Sequence, residues 1–133
     1  MDEAKEDAKE WLRRAKSNLA KARGGRVSEE IYFEDLCFDC HQAIEKSLKS
    51  LCIMKKIMFP WTHNISTLVS LLENNGIKAT DDVKKAEKLT DFALSFRYPG
   101  EEPLATEEQY RDALYLATSV VNWVETFFQK GNE

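Results

Sequence analysis

Apolar residues recur along this chain at the three- and four-residue spacing of amphipathic helices, and no stretch alternates as a strand would. Ala4, Ala8, Trp11, Ala15, Leu19 and Ala22 form one stripe with Leu12 beside it, which predicts a helix from about Asp2 to Arg23, ended by Gly24-Gly25. A second stripe of Phe33, Cys37, Cys40, Ile44, Leu48 and Leu51 predicts a helix from about Ser28, as cap, to Met58, with Pro60 barring extension. A shorter helix, from about His63 to Asn74, carries Ile65, Leu68, Val69, Leu71 and Leu72 and stops at Gly76. Thr80-Asp81-Asp82 caps the next, which buries Val83, Ala86, Leu89, Ala93 and Phe96 and closes at about Arg97, because Tyr98 precedes a proline and is pushed out of the α region. Thr106-x-x-Gln109 reads as a capping box opening a last helix, with Tyr110, Ala113, Leu114, Ala117, Val121, Val124 and Phe128 inward.

Three of these helices exceed about twenty residues, or roughly 30 Å at 1.5 Å per residue, and the links are short enough to force antiparallel neighbours. The expectation is an all-α fold: one domain over residues 1–133, an up-and-down bundle of four main helices plus the short one at 63–74. A content of 43% hydrophobic and 32% charged residues, with five Gly and three Pro, suits such a packed helical chain and not a disordered one.

Charge narrows the functional classes. A net charge of −4 gives no overall attraction to nucleic acid or to an anionic membrane. Between Trp11 and Ser28 there are nevertheless six cations (Arg13, Arg14, Lys16, Lys21, Arg23, Arg26) and no acid. They are either favourable charge towards the negative end of a helix dipole or a patch facing phosphate. No apolar run spans a membrane, and the acidic start Met1-Asp2-Glu3 is unlike a signal peptide, so the expected location is the cytoplasm. Three cysteines in a reducing compartment are expected to be free thiols.

Cys37-Phe38-Asp39-Cys40-His41 is spelled like a c-type haem attachment site. Both thiols, however, fall on the buried stripe of the second helix, where they act as core filler. Helical spacing also splays Cys37 and Cys40 apart compared with a zinc knuckle, and Cys52 and His63 lie far along the chain. No cofactor and no metal are expected. There is no Walker loop, G-x-G-x-x-G, G-x-S-x-G or H-E-x-x-H.

His41 lies at the edge of the stripe and is expected to be partly buried and bonded to a neighbour, or else to serve a polar site. Phe38, Gln42, Glu45 and Lys49 mark the opposite flank, a mixed face that is solvated or meets a second copy or a ligand. Arg97-Tyr98-Pro99-Gly100 places a guanidinium at a rigid helix stop, as a C-terminal cap or as a planar donor fork for phosphate.

In this order and spacing, Ala8-Lys9-Glu10-Trp11-Leu12, Cys40 to Lys49 (CHQAIEKSLK), Thr62-His63-Asn64 and Phe96-Arg97-Tyr98-Pro99-Gly100 resemble the HEPN domain, the higher eukaryotes and prokaryotes nucleotide-binding domain. The resemblance covers nearly the whole chain. It implies a helical bundle that dimerises and works beside a small nucleotidyltransferase, as in toxin–antitoxin pairs. Its nominated nucleotide- or RNA-phosphate contacts are Arg97 and Tyr98, with Gln42, Lys46 and Lys49 from the second helix.

Ribonuclease members of that family carry an Arg, then four to six residues, then a His. Here those positions hold Glu102, Pro103 and Leu104. The resemblance therefore implies a binding module. Its alternatives are a metal-independent RNase using Arg97 with a displaced His41 or His63 at a dimer cleft, and a purely structural partner subunit.

Overall fold

The computed structural model describes residues 3–89 and 105–130, and among these it contains five helices and no strand. They are α1 (Glu3–Arg23), α2 (Phe33–Met54), α3 (Ile65–Asn74), α4 (Asp81–Ala86) and α5 (Glu107–Lys130). The all-helical bundle is as expected. The fourth helix, expected to run unbroken to about Arg97, ends at Ala86, where Glu87 N donates to Lys84 O and Lys88 N to Lys85 O in a tighter turn; Ala93, Phe96, Arg97 and Tyr98 lie outside the described residues.

Helix α2 is the axis of the bundle, with α1 packed most extensively along it and α5 and α3 covering other sides. The α1 stripe explains the closeness of that pair: Ala8, Ala15 and Ala22 alternate with Leu12 and Leu19, and small side chains let two helix backbones approach. Ile44, Leu48 and Leu51 of α2 meet Ile65, Leu68 and Leu72 of α3 and Val120, Val121 and Val124 of α5 in one continuous core. Cys37, Cys40 and Cys52 are buried free thiols within it. Burial pushes Cys37 and Cys52 up to about 11 and Cys40 up to about 12, reinforced by Glu34 at Cys37 and by Cys37 and Asp39 at Cys40, so all three stay protonated and act as small hydrophobes.

Helix ends differ from the sequence expectation where backbone hydrogen bonds supply a signal that residue types do not. Ser28 does not cap α2: its Oγ accepts from Glu30 N at 3.1 Å and its carbonyl from Ile31 N at 3.2 Å, a local turn that delays the helix to Phe33. At the far end α2 stops at Met54, four residues before the expected Met58. Lys56 takes the left-handed conformation (φ 59°), Lys56 N donates to Ile53 O and Ile57 N donates to Cys52 O, together a Schellman motif without glycine. Helix α3 begins at Ile65 rather than His63, capped by Asn64 Oδ1, and ends in the same motif with Gly76 at φ 84°. Thr106 and Gln109 form the expected reciprocal box, at 2.9 and 3.1 Å.

The basic run along α1 is distributed among surface ion pairs: Arg13 and Arg14 with Glu10, Lys16 with Glu125 on α5, Lys21 with Asp39 on α2. That favours its reading as ordinary helix charge. One tie is stronger. Tyr110, at the start of α5, donates from its hydroxyl to Ala22 O at 2.6 Å and stacks against Phe33, joining the end of α1 to the starts of α2 and α5. Replacing Tyr110 by Phe is expected to lower stability by about 1 kcal/mol in urea melts, the usual net value of one hydrogen bond. Leu48→Ala, in the middle of the core, should cost about 2–5 kcal/mol.

Candidate functional site

His41, Glu45 and Lys49 stand at i, i+4 and i+8 on α2 and therefore share one face of the helix. That face is turned inward. The mixed flank expected from Phe38, Gln42, Glu45 and Lys49 is not one solvated surface: Glu45 and Lys49 are 3% and 2% exposed, Gln42 is half-buried, and Phe38 remains open to solvent. His41 is fully buried, more deeply than its position at the stripe's edge suggests.

Three donors meet the Glu45 carboxylate. His41 Nε2 lies 3.2 Å from Oε1, Lys49 Nζ 2.8 Å from Oε2, and His63 Nδ1 3.1 and 3.2 Å from the two oxygens. Burial by itself would raise the Glu45 pKa, but hydrogen bonds from His41, Lys49 and His63, with the Lys49 charge, outweigh it and hold the carboxyl at about 2. An ionised carboxylate only accepts, so this network assigns the proton on His41 to Nε2 and that on His63 to Nδ1. His41 Nδ1 is then a buried ring nitrogen without a hydrogen-bond partner among the described residues.

Aromatic rings close the site around the ammonium. Lys49 Nζ lies 5.5 Å from the ring centre of Trp61, 5.7 Å from Trp11 and 5.9 Å from Phe59, all within cation–π range. Trp11 comes from α1 and the other two from the α2–α3 loop, which also supplies His63, so one buried lysine of α2 draws in two further segments. Trp61 packs edge-on against His63, with ring centres 5.8 Å apart. Sequence reasoning placed Trp11 on the core stripe and missed the cage; the i, i+4, i+8 ladder of His, Glu and Lys, beginning only one residue after the buried Cys40, was the available signal.

The remaining nominated residues are dispersed. Lys46 Nζ donates to Asn18 Oδ1 at 2.8 Å, and Asn18 Nδ2 donates to Asp39 Oδ1 at 3.0 Å, a polar strap between α2 and α1. Lys49 points away from that strap into the cage. Arg97 and Tyr98 lie outside the described residues. A cleft of about 470 Å³ lies elsewhere, lined by Asp82, Lys85, Lys88, Leu89 and Tyr115 among others. Its Asp82 is occupied by Ser119 Oγ at 2.7 Å and Tyr115 OH at 3.1 Å, and Asp112 further offsets the two lysines.

The Glu45 site carries a pH signature. Its folded pKa, about 2, is below the ordinary 4.5, so the stabilisation is present above about pH 4.5 and is lost as pH falls towards 2. The shift corresponds to about 3 kcal/mol at neutral pH. Glu45→Gln should remove a stabilisation of that order at pH 7, and the gap to the unaltered protein should close between pH 5 and pH 2 in chemical-denaturation curves. Parallel curves across that range would refute the assignment.

Among the described residues no helix is long and apolar enough to cross a membrane. The HEPN domain family model matches residues 8–127. Two solved structures superpose on the chain with a TM-score of 0.71 each: ST0689, an archaeal HEPN homologue, and TT1696 from Thermus thermophilus. The first is 23% identical and the second 29%; each alignment covers 90% of this chain, with 95% and 96% of the respective partner. Among curated proteins none matches. With nearly all of its length accounted for by one family model and its fold shared with an archaeal HEPN homologue, the chain belongs to the HEPN domain family.

Proposed function

We propose that this HEPN protein is a binding module: a homodimer that holds a nucleotide or RNA phosphate through Arg97 and Tyr98 and acts with a nucleotidyltransferase partner, in a pair of the toxin–antitoxin type. The observation that carries this reading is the disposition of the histidines. The chain has two, both are bonded to Glu45, and positions 102–104 contain none that could pair with Arg97. An imidazole is the natural group for moving a proton near neutral pH, and its loss costs on the order of 10²–10⁴-fold in rate. A guanidinium binds phosphate without it. Buried, unpaired thiols fit action in the cytoplasm.

A second reading, a metal-independent RNase with a displaced His, is favoured by one observation. His63 has 47% of its side chain exposed and its Nδ1 on a carboxylate, the arrangement that orients an imidazole and leaves Nε2 as a base. His41 does not share this role, because it is fully buried and meets no substrate. A third reading, a purely structural subunit, predicts no ligand at all.

Arg97→Ala should weaken nucleotide or RNA binding, measured by calorimetry, by about 1.5–3 kcal/mol, with Arg97→Lys recovering only part. The unaltered protein should cleave RNA feebly or not at all; robust metal-independent cleavage lost in both Arg97→Ala and His63→Ala would install the RNase reading instead. Unchanged binding in Arg97→Ala would leave the structural subunit. Light scattering should return twice the 15.3 kDa chain mass, and a nucleotidyltransferase encoded beside this protein should co-elute with it.

A further inference from the structure

The α2–α3 loop is anchored at both ends and exposes two large apolar side chains. Trp61 is 87% exposed and Met58 90%, yet the segment is fixed at one end by the Schellman motif at Lys56 and at the other by the Asn64 cap on α3. Pro60 restricts the middle, and Asn64 N donates to Thr62 Oγ1 at 3.0 Å. Trp61 is therefore held out by the fold. The Lys49 ammonium lies on one face of its indole and His63 meets it edge-on, and an exposure of 87% leaves the other face open.

The charge carried by this stretch of the chain is one-sided. From Lys46 to Leu72 the sequence contains no Asp or Glu, although the chain as a whole carries a net charge of −4. Lys55 and Lys56 are exposed at the base of the loop, Lys55 leaning over Phe127 with Nζ 5.6 Å from the ring centre. Glu45, the nearest acid before this window, is buried and already bonded to Lys49 and to both histidines. An open aromatic face between cations, on an acidic protein, is the combination that captures unpaired bases together with their phosphates.

We infer that the α2–α3 loop, residues 55–64, is a binding site for single-stranded RNA, with Trp61 stacking on an unpaired base and Lys55 and Lys56 contacting the flanking phosphates. The inference rests on the phosphate-binding reading above and places a second contact region on the same ligand. A protein partner is the rival occupant. The charge decides against it, because the loop offers two exposed lysines and a partly exposed imidazole whose one bonded acid, Glu45, is buried, and such a set suits a polyanion better than a protein surface of mixed charge.

The experiment uses the full chain and a fluorescein-labelled single-stranded adenylate dodecamer, followed by anisotropy at several salt concentrations. Trp61→Ala should weaken binding by about 5- to 100-fold, and Trp61→Phe should restore part of it because a smaller ring still stacks. Lys56→Ala should reduce the slope of log affinity against log salt by about 0.7, one phosphate contact on a single strand. Helical circular dichroism should be unchanged in all three, since none of these side chains is buried. Unaltered affinity in Trp61→Ala overturns the inference; if Arg97→Ala still abolishes binding, the phosphate-binding reading survives without it. Loss of dimer mass in Trp61→Ala with RNA affinity unchanged assigns the loop to a protein contact and also overturns it. Failure of the unaltered protein to bind either the dodecamer or a mononucleotide removes both.

Discussion

A carboxylate buried in the middle of α2 dictates much of what surrounds it. An isolated ionised Glu45 would be very costly to remove from water, and its charge is tolerated because three donors reach it at hydrogen-bond distance. Two of them, His41 and Lys49, follow from helix periodicity alone. The third, His63, has to be delivered by the chain after it leaves α2. That requirement explains the course of the α2–α3 loop, which turns sharply at Lys56 and comes back to place His63 and Trp61 over the helix it has just left. The ammonium of Lys49 then extends the arrangement to α1 through Trp11.

Such a network stabilises the ionised Glu45 and also fixes geometry. Its attractions outweigh the desolvation of the carboxylate, although a hydrophobic cluster of equal volume can often stabilise a core as well. The core made by Ile44, Leu48 and Leu51 with α3 and α5 already holds the bundle together. What the polar cluster adds is a specific orientation for side chains that face outward, above all Trp61 and His63. The Tyr110 hydroxyl does a comparable job at the opposite end of α2, fixing where α1 stops and α5 starts.

The two histidines differ in what chemistry they can reach, although they share one carboxylate. His41 is enclosed and bonds within the network. His63 stands at the surface beside an open indole. The bundle thus presents an aromatic and cationic loop supported by a buried charge cluster. Family membership is consistent with this division, since the fold is shared while the histidine spacing of its ribonuclease members is not.

The sequence by itself determined the helices, the central place of the Cys37 to Leu51 stripe, the capping box at Thr106 and the family. Each of these depends on residues close together in the chain, where periodicity and cap chemistry act directly. It was less informative at the ends of α2, because Ser28 bonds its own turn and Lys56 accepts a left-handed conformation more usual for glycine, and both outcomes are set by backbone hydrogen bonds. Only the tertiary structure decided that Glu45 and Lys49 face inward, that His41 and His63 share one carboxylate, and that Trp11, Phe59 and Trp61 enclose one ammonium. Those contacts join residues up to 38 positions apart, as with Trp11 and Lys49, and a charged residue on a helix flank looks the same in sequence whether water or a buried partner satisfies it.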